Sequence, residues 1–239
     1  MLEPQDRVLL LDLLKPPIDH SLDFAVGTTF SLDLTALLAV PLSLMLLDQM
    51  DRFGRIVASR VAAVEAIRRA GSRFAIFCQE GEIVVPPPNR KLLSLLEPNI
   101  VSVTPPSGGN FHPKVWLLRF VARDLSVVYR LVCATRNLTF DRRWDTAPVL
   151  ECPLIDRKNA LGANRPLSDF VAALSGFATA RDKPDVATRL NQIAEESRRI
   201  AFEPPEGFDE IRFWPLGVSP RQVWPFEGRI DRMVVVSPF

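Results

Sequence analysis

Apolar positions in this chain fall into two periods that alternate along its length. RFAIFCQ at 73–79 and NIVSV at 99–103 are compact apolar runs of the central-strand type, separated by the breaker VPPPN and a short helix around KLLSLL. RIVASRVAAVEAIRRAG at 55–71 instead spaces Ile56, Val57, Val61, Val64 and Ile67 as one face of an amphipathic helix and stops at Gly71, a natural C′ residue. Residues 21–51 predict a strand ending at Gly27–Phe30, a turn, and a helix capped at Ser31 or Asp33 that Pro41 kinks or breaks. After the loop TPPSGGN, FHPKVWLLRFV and SVVYRLVCAT read as hairpin partners across the turn ARDL, followed by the polar segment RNLTFDRRWD and a strand at VLECPLI. Two helices, PLSDFVAALSGFAT and DVATRLNQIAEESRRI, end at the proline-bounded AFEPPEGF, and EIRFWPLGV and RIDRMVVVSPF predict two closing strands. Strand–helix alternation of this kind predicts an α/β fold, a mixed sheet flanked by helices. The pattern contains no internal repeat.

Composition narrows the class more than the function. The 239 residues are 47% hydrophobic, enough for a packed core, and 29 basic against 28 acidic residues leave a formal charge of +1. There is no overall field to attract nucleic acid or an anionic membrane, so a polyanion would need a local patch. Cys78, Cys133 and Cys152 show neither CxxC nor Cys/His ligand spacing, which fits reduced, buried thiols in a cytoplasmic protein and offers no metal site. Glu3, Asp6 and Asp12 interrupt the N-terminal apolar run, against a secretory signal, and the apolar stretch Leu34–Leu47 falls short of the roughly 20 residues a bilayer requires.

Candidate chemistry concentrates in GNFHPKVWLL at 109–118. Side chains alternate along a strand, so His112 and Lys114 emerge on one side, and the partner strand ends in CATRNLTF, delivering Thr135 and Asn137 to the same sheet edge. An imidazole, an ammonium, a hydroxyl and a carboxamide then share a crevice outside the sheet, where α/β folds bind ligands. Each residue also has a plainer reading: solvent-facing strand ends for His112 and Lys114, a helix N-cap for Asn137, an ordinary strand end for Thr135. Arg136, Arg142 and Arg143 read as a phosphate-binding cluster or a solvated face, and Trp116 and Trp144 as core or rim packing.

The arrangement resembles the phospholipase D superfamily, whose half-motif is His-x-Lys on one strand, then a strand ending in Gly/Ser-Ser/Thr-x-Asn, then an acidic or amide residue. Here these are His112-Pro113-Lys114, Ala134-Thr135-Arg136-Asn137, and either Asp145 or Glu151. The strand order over about 27–155 fits one lobe of that fold, and NLTFDRRWD is similar to the segment after the Asn in bacterial members. Two positions depart from the pattern: Leu118 stands where the family Asp follows the Lys, and Ala134 replaces a Gly. The missing Asp occurs in the branch with a His-Lys-Asn motif, of the tyrosyl-DNA phosphodiesterase kind.

The resemblance implies a phosphodiesterase working without cofactor or metal, nuclease-like in the first instance, with phospholipid as a second substrate class. His112 would attack phosphorus as nucleophile or serve as general acid, Lys114 and Asn137 would hold the phosphoryl oxygens, Thr135 and Arg136 would bind substrate, and Asp145 or Glu151 would orient the imidazole. It also implies a second motif-bearing lobe facing the first. His20, followed by Ser21 and Leu22, lacks the lysine two places on and does not supply it. The expected division is therefore a phospholipase D-like lobe over 1–200 and a connection over 201–239 that includes the first strand of a missing second lobe. The partner lobe would come from a missing C-terminal half or from a homodimer, and the isolated chain would be nearly inactive. A non-catalytic phosphate-binding or assembly module retaining a half-site is the alternative, and a scaffold in which His112 is incidental is a third reading.

Overall fold

A computed structural model of the chain describes residues 10–41, 60–86, 93–106, 108–140, 145–155, 160–179, 183–218 and 229–232. A short helix, α1 (Leu10–Leu13), precedes β1 (His20–Thr29) and β2 (Leu32–Asp33), and helix α2 occupies 34–41. Then follow α3 (Arg60–Gly71), β3 (Phe74–Gln79), β4 (Ile83–Val84), a 3-10 turn at Ser94–Asn99 and β5 (Ile100–Val103). The second half contains β6 (Val115–Ala122), β7 (Val127–Cys133), β8 (Val149–Pro153), α4 (Arg165–Phe177) and α5 (Pro184–Ser197).

Six strands form one mixed sheet in the order β5-β3-β1-β6-β7-β8. The β1–β3 and β3–β5 pairs are parallel, whereas β6, β7 and β8 continue antiparallel from β1. Each face has its own core. Leu37 and Val40 of α2 and Ile67 and Ala70 of α3 pack with Phe74, Ile76, Trp116, Leu118 and Phe120 on one side. Leu167, Phe170 and Leu174 of α4 and Leu190 and Ile193 of α5 cover Val26, Phe77, Leu117, Tyr129 and Leu131 on the other. The architecture is thus a mixed sheet between two helical layers, as the alternating pattern predicts.

One strand carries an irregularity that sets both faces. The register of β1 against β6 shifts between Leu22 and Phe24, so Leu22 and Ala25 share one core while Phe24 and Val26 share the other. One extra residue, Asp23, reverses the parity of the strand. It meets Arg119 at 2.8 Å and Arg189 at 3.1 Å. Arg119 also donates to Glu196, which accepts from the buried Tyr129 hydroxyl at 2.6 Å. This ion-pair network ties α5 to the sheet. Burial alone would raise the Glu196 carboxyl, but hydrogen bonds from Arg119, Tyr129 and Gln192 outweigh it and hold the group below its ordinary value.

Several sequence expectations need correcting. The segment 210–218 forms no strand; Ile211, Phe213 and Val218 pack on the α4/α5 core instead, with the Phe213 ring 5.6 Å from Phe170. Its apolar alternation serves packing, and Pro215 lacks the N–H a ladder would use. Residues 229–232 are likewise outside any strand, while 233–239, Ile56, Val57 and the part of the expected helix after Pro41 lie outside the described residues. Of the helix expected around KLLSLL, Lys91 and Leu92 lie outside the described residues, Leu93 is α-helical, and Ser94–Asn99 follow as a 3-10 turn with Pro98 inside it. Cys78 and Cys152 are buried thiols as expected, but Cys133 is exposed, because it is the last residue of β7 at the open edge of the sheet. Among the described residues no helix is long and apolar enough to cross a membrane.

Candidate functional site

The carboxyl ends of β1 and β3, the start of β6 and the end of β7 lie at one edge of the sheet. His112 and Lys114 were expected within a strand, but β6 begins one residue later, at Val115. Two side chains pin the segment in place of a ladder. The Thr28 hydroxyl accepts from Val115 N–H at 2.9 Å and donates to Val115 C=O at 3.2 Å, occupying both bonding positions of that residue. Gln79 Oε1 accepts from Phe111 N–H at 2.7 Å. Between these anchors Pro113 has no N–H to pair, so the backbone leaves the sheet and the His112 side chain reaches solvent. Lys114 C=O still accepts from Ala134 N–H at 2.8 Å, keeping the segment beside β7.

The two side chains do converge. Lys114 Nζ lies 3.0 Å from His112 Nδ1, 3.1 Å from Nε2 and 3.2 Å from the His112 carbonyl oxygen. Lys114 is only 8% exposed, and burial lowers its pKa against the opposing pull of Asp145 and Cys133. Partial burial and the Lys114 charge likewise hold His112 below its ordinary value, favouring the neutral imidazole. Phe30 flanks the same ring, with centroids 5.3 Å apart and planes tilted by 50°.

Asn137 joins the group through the residue after β1. Its Oδ1 accepts from Phe30 N–H at 3.2 Å and lies near the Thr29 hydroxyl, which donates its proton to Ser31 C=O at 2.7 Å. The same hydroxyl accepts from Leu138 N–H at 2.9 Å, and Asp33 N–H reaches Leu138 C=O at 2.9 Å. Asn137 therefore caps no helix: its side chain fastens the β7 exit loop to the end of β1. With Oδ1 so used, the amide N–H groups are the part of this side chain left to meet an anion.

The remaining candidates separate. Asp145 accepts from Thr135 N–H at 2.7 Å and from the Thr135 hydroxyl, and its charge acts on Lys114. Glu151 instead pairs with Arg130 at 2.5 Å, its register partner well back along β7. Of the two carboxylates, Asp145 is the one that belongs to the cluster. Arg136 turns onto its own loop, donating to Thr139 C=O at 2.7 Å. Arg142, Arg143 and Trp144 lie outside the described residues, and Trp116 is core. Leu118, at the position where the resemblance calls for Asp, is fully buried in the α2/α3 core, where a carboxylate would be costly. His20 opens β1 and so sits about 30 Å from the site by strand rise. Among the described residues no group of three or more His, Cys, Asp or Glu side chains could hold a metal.

Thr28, Phe30, Gln79 and Cys133 were not apparent as site residues in the sequence. The nearest signal was TTF following Gly27, two hydroxyls and an aromatic at the end of a strand otherwise built of apolar residues.

What the fold and site define together is a mixed α/β lobe with a His–Lys–Asn cluster at an open sheet edge. No family model matches the chain, and no curated protein matches it. Among solved structures, yeast tyrosyl-DNA phosphodiesterase is similar at 13% identity, with a TM-score of 0.48 over 82% of this chain and 38% of that one. Two mutant forms of the yeast enzyme give the same identity and TM-score over 83% and 82% of this chain. The chain spans about 38% of the length of each of these structures.

Proposed function

We propose that the chain is one lobe of a phospholipase D-like phosphodiesterase, nuclease-like in substrate, that works through a covalent phospho-histidine without metal. The observation that carries this reading is the position of Lys114 Nζ at 3.0 and 3.1 Å from the ring nitrogens of His112, at an open sheet edge. A ring nitrogen of neutral His112 attacks phosphorus, the P–O bond to the leaving group breaks, and the leaving oxygen takes a proton from an opposing acid. Water, giving its proton to the now deprotonated opposing acid, then attacks phosphorus, the P–N bond breaks, and the monoester is released with His112 restored. Lys114 and the Asn137 amide donate to the equatorial oxygens as their charge grows, while Thr135 gives both its N–H and its hydroxyl proton to Asp145, whose charge acts on Lys114. A second motif-bearing lobe, from a longer chain or a second copy, supplies the acid and the other half of the cage.

Cleavage of bis(p-nitrophenyl) phosphate in EDTA tests the proposal once the second half is supplied. His112→Ala should remove nearly all turnover, and Lys114→Met or Asn137→Ala should lower it by about 10²–10³. Activity that survives His112→Ala, or that needs a divalent ion, overturns the mechanism. Phosphate binding with no turnover favours the non-catalytic half-site module.

A further inference from the structure

Phe30 is held by two side chains where the sheet no longer holds it. Its N–H donates to Asn137 Oδ1 at 3.2 Å, and its C=O accepts from the Cys78 thiol at 3.2 Å. Cys78 is fully buried on β3, and Phe30 C=O is the nearest of three carbonyl oxygens around its sulfur, ahead of Gln79 at 3.5 Å and Glu82 at 4.0 Å. Burial and the Glu82 charge push that thiol up to about 12, so it remains a protonated donor throughout the physiological range. The clamped residue then presents its ring to the His112 imidazole at 5.3 Å between centroids.

A histidine reaching solvent from a loop has a broad χ2 and presents either ring nitrogen outward. Nucleophilic attack needs one nitrogen aimed at phosphorus, so the ring plane has to be set by a neighbour. Lys114 bears on one side of the imidazole and Phe30 is its described aromatic neighbour. From this arrangement we propose that Phe30, clamped by Asn137 and Cys78, is a positioning residue that fixes the plane of the His112 ring and selects which nitrogen faces the phosphoryl group. The proposal rests on the phospho-histidine reading of His112. It gives Asn137 a second task beside its contact with phosphate, and it gives a use to a buried thiol that the reaction itself does not touch.

Two readouts test it on the 239-residue chain as it stands. Because the chain has two histidines, the imidazole proton resonances of His112 and His20 are separable, and His20 at the far end of β1 reports on the fold. Phe30→Leu should move the His112 resonances and leave those of His20 in place, and Phe30→Tyr should return them. Phosphoramidate, which transfers its phosphoryl group to imidazole with loss of ammonia, should give one phospho-histidine isomer at His112 in the parent chain. Phe30→Leu and Cys78→Ala should give both isomers, and Phe30→Tyr one. Should the leucine variant not fold, Phe30→Met carries the same comparison. Unchanged resonances together with an unchanged single isomer in Phe30→Leu overturn the positioning role. Failure of the underlying mechanism has a different signature: parent His112 is then no more reactive toward phosphoramidate than His20, whatever the resonances show.

Discussion

The ammonium of Lys114 is almost equidistant from the two ring nitrogens of His112, at 3.0 and 3.1 Å. A linear N–H···N bond to either in-plane lone pair cannot give two equal distances, so the cation bears on the ring as a whole. Its charge disfavours imidazolium without claiming the nucleophilic lone pair through one directed bond. Pairing of this kind suits a residue that must be neutral to attack and must find a cation beside the oxygens it attacks past.

The titration of His112 follows directly. In the folded chain it should protonate below 6.5, its ordinary value, and Lys114→Met should shift the midpoint upward; proton NMR of the two histidines measures both. The folded-state pKa is depressed, so the linked stability is fully present above 6.5 and is lost as pH falls through the folded value. His112→Gln should flatten that part of the pH–stability curve. A midpoint at or above the ordinary value, unmoved by Lys114→Met, contradicts the geometry.

Thr28→Val is nearly isosteric and removes the hydroxyl that serves both the N–H and the C=O of Val115. Leaving those buried groups unpaired should cost about 1–3 kcal/mol in a denaturant titration. The start of β6 should also loosen, seen as faster amide exchange at Val115 and Trp116. Gly27→Ala tests the adjoining pair differently, because a Cβ there would lie 2.6 Å from Ile76 Cδ1 and 3.0 Å from the Trp116 ring. Overpacking should lower stability by about 1–3 kcal/mol.

The ionic tie under α5 predicts unequal losses. Tyr129→Phe deletes one hydrogen bond to a charged acceptor and should cost about 1.5–3 kcal/mol. Arg119→Met removes the cation that Glu196 and Asp23 share, leaving Asp23 with Arg189 and Glu196 with Tyr129 and Gln192, and should cost about 3–5 kcal/mol. Glu196 has a depressed pKa, so its contribution is present above 4.5 and lost as pH falls through the folded value. Thermal melts of the three chains at neutral and acid pH measure this, and a smaller loss for Arg119→Met than for Tyr129→Phe would sink it.

Both core layers were legible in the sequence because β3, β6 and the helices carry clean periods, and so was the sheet edge that carries His112 and Asn137. The closing strand was misread because the alternation of Ile211 and Phe213 looks the same whether it faces a sheet or a helix pair. The parity change at Asp23 was invisible, since a bulge depends on the partner's register. Asp145 and Glu151 stood level in the sequence, and cross-strand pairing with Arg130 separates them. Thr28, Gln79 and Cys78 act through single hydrogen bonds to distant backbone, which no local pattern announces.

The central claim is that His112 is a phosphorus nucleophile served by Lys114 and Asn137. A p-nitrophenolate leaving group departs without protonation, so even a half-site lacking its opposing acid can complete the first step. Mixing the chain with bis(p-nitrophenyl) phosphate in EDTA should release one equivalent of p-nitrophenolate per chain. Peptide mass mapping should find the acid-labile p-nitrophenyl phosphoryl adduct on His112, absent in Lys114→Met and in His112→Ala. Release without an adduct, an adduct on His20, or a burst that persists in His112→Ala would contradict it.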